Sequence, residues 1–104
     1  MYSKTEIQQV VDKIKEAVAP DAVYLFGSYA SGKPKENSDL DICVVKNNYE
    51  DKNAELIKIK KHTFSFSIPM DILLLKGDDF RKRQDIWGSV QYEIFHKGIK
   101  VYEK

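Results

Sequence analysis

FGSYASGKPKENSDLDICVV, Phe26 to Val45, decides how this chain is read. Its second half, continued to Lys46 as DLDICVVK from Asp39, has the apolar, β-branched character of a buried strand. Yet it opens with two carboxylates one residue apart. Asp is depleted in strands, and burying an unpaired charge is costly. Side chains alternate along a strand, so Asp39 and Asp41 share a face. The stretch begins on the end of another strand, Ala22 to Phe26 (AVYLF), which Gly27 closes. Ser28 to Ser31 suits one helical turn, with Gly32 closing it. KPKENS, with Pro34 and Asn37, reads as an exposed loop leading into the acidic strand.

Upstream, Ser3 to about Ala19 has the signature of a helix. Ser3 and Glu6 make a capping box, and Ile7, Val10, Val11, Ile14 and Val18 recur at helical spacing before Pro20 stops it. Downstream, Asp51 to about Thr63 is ambiguous. AELIKIKK alternates as a strand does, but length, composition and the polar start favour a helix. Ile68 to Lys76 (IPMDILLLK) is a third strand, with Pro69 near its start. Asp78 or Asp79 can cap a last helical region that runs through Phe80, Ile86, Trp87, Val90 and Ile94 to Gly98. IKVYE then makes a short final strand. Strands alternating with helices imply an α/β fold, a small mixed sheet with flanking helices.

The chain has 104 residues, which predicts one domain over 1–104. Hydrophobic residues make up 42% and charged residues 32%, a globular profile and not a disordered one. The net charge of +1 gives no global argument for nucleic-acid or membrane binding. With Cys43 as its single cysteine the chain has no internal disulfide. MYSKTEIQQV has no apolar signal region and no run reaches transmembrane length, so the expected location is the cytoplasm.

Asp71 lies inside the third apolar strand. Three carboxylates converging on one place repel each other unless a divalent cation with a taste for hard oxygen ligands sits between them. Each feature has a plain structural reading when taken singly. Asp39 can cap the loop, Asp41 can pair with a lysine, and Gly27-Ser28 can be an ordinary strand-to-helix turn. The combination favours a site. Gly27 lets backbone approach a phosphate closely, and Ser28 offers a hydroxyl where free N–H groups favour anions.

Gly27-Ser28, ten residues from Tyr29 to Ser38, then Asp39-x-Asp41 resembles the signature of the polymerase β-like nucleotidyltransferase superfamily. The third family carboxylate falls on Asp71, and QYEIFHKGIKVYE resembles the closing helix and strand. The length resembles the minimal nucleotidyltransferases, which are the catalytic core alone. This resemblance implies transfer of a nucleoside monophosphate, AMP from ATP, to an acceptor hydroxyl. It implies that Asp39, Asp41 and Asp71 bind two Mg²⁺ ions, with Asp71 helping to activate the acceptor. Ser28 and the backbone near Gly27 would hold the β- and γ-phosphates. Many relatives carry arginines in the turn; Tyr29 and Ser31 stand here instead, and Lys33 and Lys35 are candidate replacements.

Minimal members pair with a HEPN-type ribonuclease toxin, so the resemblance implies an antitoxin that adenylylates a tyrosine of its partner. No membrane and no direct nucleic-acid contact are expected. Two rivals stand beside this reading: a vestigial module that neutralises its partner by occlusion, and transfer to a small molecule. Among the other residues, Cys43 reads as a small buried residue, and His62 and His96 as surface groups near helix ends. Trp87, Phe80 and Phe95 are core or partner contacts. FSFSIP, Phe64 to Pro69, is either an extended lead-in or an apolar edge that a partner covers.

Overall fold

In the computed structural model, which describes residues 2–32 and 39–104, Ser3 and Glu6 close the expected capping box. Glu6 N–H donates to Ser3 Oγ (3.1 Å) and Ser3 N–H to Glu6 Oε1 (3.0 Å). Helix α1, Lys4–Val18, follows and buries Val10, Val11, Ile14 and Val18. Ala19 ends it in the left-handed region at φ 47°, just before Pro20.

Strand β1 is Ala22–Phe26 and β2 is Leu40–Lys46. Asp51 caps helix α2, Lys52–Thr63, by accepting from the Ala54 N–H at 3.1 Å. The ambiguous segment is therefore helical. Strand β3, Met70–Lys76, runs parallel to β2, a pairing that needs a crossover such as α2 supplies. It begins two residues later than the sequence suggested, with Ile68 packed on the core ahead of it. Phe66, at a bend where its N–H donates to the Thr63 carbonyl (3.1 Å), and Ile68 pack on the core, while Phe64 is 81% exposed.

The last helical region departs from expectation. It is two helices, α3 (Gly77–Arg83) and α4 (Val90–Lys97), before strand β4, Ile99–Glu103. The break has a local cause. Gly88 turns to φ 88°, and Ser89 becomes a new N-cap, accepting from the Tyr92 N–H at 3.0 Å. Its hydroxyl donates to the carbonyls of Arg83 and Ile86 instead of continuing a helix. Ile86 and Trp87, expected on the helix's apolar face, are exposed as a result. Asp78 and Asp79 lie in the first turn of α3, whose cap position is Lys76. Gly98 ends α4 as expected, its N–H donating to the Ile94 carbonyl at 2.9 Å.

The sheet order is β3-β2-β1-β4, with β1 antiparallel to both neighbours. Alternation along β1 and β2 divides the core. Val23, Leu25, Leu40, Ile42 and Val44 face α1 and α2, together with Ile14 and Ile59. Tyr24, Cys43 and Val45 face the other way, onto Phe80 and Ile94 of α3 and α4. Each fully buried Ile or Leu contributes roughly 1.5–3 kcal/mol. An ion pair between Lys46 and Glu55 (2.8 Å), both mostly buried, ties the end of β2 to α2.

Candidate active site

The parallel register between β2 and β3 sets Asp41 directly opposite Asp71. Residues opposite one another in a sheet point to the same face, and Asp39, two residues ahead of Asp41, shares that face by alternation. It is the face of Cys43 and Val45, which α3 and α4 cover farther along. The acidic end is left open: Asp39 and Asp71 are exposed and Asp41 is half-buried.

β1 brings the turn to this acidic end. Phe26 pairs with Asp41, so the chain leaves β1 beside the carboxylates. Gly27 sits at φ 70°, and a Cβ there would collide with Asp41 Oδ2. Only glycine permits both the left-handed backbone and the close approach. The following residues make the single helical turn read from sequence. Ser31 N–H donates to the Gly27 carbonyl (3.1 Å), Ser31 Oγ donates to the Ser28 carbonyl (3.0 Å), and Gly32 reverses the chain at φ 76°. Lys33 and Lys35, with the rest of the loop at 33–38, lie outside the described residues.

Electrostatics bear out the crowding. Burial pushes the Asp41 carboxyl above its ordinary value, and the charges of Asp71 and Asp39 push it further. Among the described residues, no three His, Cys, Asp or Glu side chains converge closely enough to hold a metal ion as they stand. The donor set is nonetheless the one Mg²⁺ uses, carboxylate oxygens only, and its mutual repulsion is what a dication relieves. Cys43, on the same face, is fully buried, and burial raises its thiol to about 12.

A cavity of about 470 Å³ adjoins the turn, walled by Gly27 and Ser31 on one side and by Glu93, Lys97 and Gly98 of the α4 end on the other. Glu93 and Lys97 are residues that sequence reasoning missed. No motif marks them, because they reach the turn only through the pairing of β4 with β1. The two histidines stay apart from the site, as expected: His62 Nδ1 is 2.9 Å from the Lys58 carbonyl and His96 Nε2 is 3.0 Å from Asp85.

The family model described as Polymerase beta, Nucleotidyltransferase matches residues 8–104. No curated protein sequence matches the chain. Solved structures share its fold. One is a toxin–antitoxin with AMP-PNP, 20% identical, with a TM-score of 0.68 over 93% of this chain and 73% of the other. A mutant of the toxin–antitoxin MntA-HpeT is 17% identical, with a TM-score of 0.66 over 99% of this chain and 75% of the other. A tri-AMPylated Shewanella oneidensis HEPN toxin in complex with MNT antitoxin includes a chain that is 20% identical, with a TM-score of 0.53 over 96% of this chain and 68% of that one.

Proposed function

Because the chain belongs to the polymerase β-type nucleotidyltransferases, we propose that it transfers AMP from ATP to a tyrosine hydroxyl of a HEPN-type toxin, with Mg²⁺, and thereby acts as the antitoxin. One observation carries the reading. Asp71 stands opposite Asp41 across the β2–β3 register, and Gly27 closes against the Asp41 carboxylate, which supports reading acid cluster and turn as one site. Likeness to toxin–antitoxin structures supports the partner. The tri-AMPylated toxin in the Shewanella oneidensis complex supports AMP as the group moved and a protein as its acceptor. ATP as substrate puts the reaction in the cytoplasm. No described helix is long and apolar enough to cross a membrane.

In this mechanism Asp39, Asp41 and Asp71 would hold two Mg²⁺ ions. When bound, the ions supply charge neutralisation, a more acidic acceptor hydroxyl and a counter-charge for departing pyrophosphate. Ser28 and the backbone at Gly27 hold the β- and γ-phosphates. Asp71 orients the acceptor hydroxyl and favours loss of its proton. The acceptor oxygen bonds to the α-phosphorus as the bond from that phosphorus to the bridging oxygen breaks. Pyrophosphate leaves with the electron pair, and the acceptor's proton passes to solvent. Positioning and charge neutralisation carry most of the rate enhancement.

The test is incubation with α-labelled ATP, Mg²⁺ and the toxin. Label should appear on the toxin and vanish in Asp39→Asn/Asp41→Asn. Inhibition of the toxin that survives those substitutions, without label, would instead establish occlusion.

A further inference from the structure

We propose that Lys97 is a triphosphate-binding residue of this site, its ammonium taking the terminal phosphates as they lie against the turn at Gly27–Ser31. The inference rests on the nucleotidyltransferase reading and adds to it a cation that the turn lacks. Gly27, Ser28, Tyr29, Ala30 and Ser31 carry no positive charge. A nucleoside triphosphate brings several negative charges to a place already occupied by Asp39, Asp41 and Asp71, so like charges meet there at short range. Mg²⁺ offsets the carboxylates; the phosphate tail needs a counter-charge of its own.

The cavity beside the turn has that charge on its far wall, where Lys97 is the one cationic side chain among the described residues. Phe26 also lines it, and Phe26 pairs with Asp41, so cavity and carboxylates share one end of one face. The backbone that carries Lys97 is anchored. Gly98, the next residue, packs so closely that an added Cβ would lie 2.8 Å from the Leu25 carbonyl oxygen, one strand position before Phe26. Ile99 then pairs with Leu25. The side chain, in contrast, is loosely held. It is 63% exposed and, among the described residues, meets Glu93, one helical turn back, at 3.2 Å and lies over the Trp87 ring at 5.9 Å from its centroid. An exposed i,i+4 ion pair is weak, whereas an ammonium–phosphate hydrogen bond is charge-assisted on both sides. A bound triphosphate therefore draws Lys97 from Glu93 across the cavity.

Calorimetric titration of the chain with a non-hydrolysable ATP analogue and with AMP, each with Mg²⁺, tests this. Lys97→Met keeps the stem and removes the charge. It should weaken the analogue about tenfold or more and change AMP by less than about twofold, while Lys97→Arg restores the analogue's affinity. The assignment is overturned if Lys97→Met binds the analogue as the wild type does, if AMP weakens in parallel, or if Arg fails to restore binding. A wild-type chain that takes up neither ligand refutes the nucleotidyltransferase reading itself, which distinguishes the two failures.

Discussion

Asp41 is where stability and chemistry oppose each other. Its folded carboxyl keeps its proton above the ordinary 3.8, through burial first and then the charges of Asp71 and Asp39. The folded state therefore loses stability as pH rises from that value through the raised one, and carries the full penalty at neutral pH. Asp41→Asn should raise the melting temperature by a few degrees at pH 7, leave it unchanged at pH 3, and abolish transfer. Melts showing a loss at neutral pH would refute the account. Gly27→Ala sets the opposite case. Left-handed strain of about 1–2 kcal/mol adds to a collision with Asp41 Oδ2. It should lower stability by at least that amount in urea titration and cut activity by about a hundredfold, because the displaced carboxylate belongs to the proposed site. Cys43, with a thiol near 12 and no exposure, should resist thiol reagents at pH 8 until the protein unfolds.

At the scale of elements, α2 both makes the β2–β3 pairing parallel and anchors it through Lys46 and Glu55. Glu55→Ala leaves the Lys46 ammonium mostly buried and unpaired, at a cost of about 1–3 kcal/mol. Lys46→Met/Glu55→Leu should recover most of that loss. A double variant whose cost is the sum of the single ones, measured in urea, would show that the pair does not couple. The split between α3 and α4 belongs to this scale too. Apolar spacing through Ile86, Trp87 and Val90 pointed to one helix, but Gly88 and the Ser89 cap outweighed it. Spacing describes which face residues would share if a helix formed; local turn chemistry decides whether it continues.

For the molecule as a whole, the proposed function implies that ligand binding couples the two halves of the site to global stability. Mg²⁺ and ATP at about a hundred times the dissociation constant should add about 2.7 kcal/mol, a rise in melting temperature on the order of 10 °C. The rise should disappear in Asp39→Asn/Asp41→Asn; a rise that persists there would place the nucleotide elsewhere. How legible all this was follows from range. The capping box at Ser3, the turn at Gly27, the alternation of Asp39 and Asp41 and the order of elements as far as β3 depend on neighbours within a few residues, and the sequence alone determined them. The pairing of Asp71 with Asp41, and the placing of Lys97 across a cavity from the turn, were decided only by tertiary structure. Each depends on a strand register chosen by packing both faces of the sheet at once, and sliding β3 by one residue would turn Asp71 away without changing a single local preference.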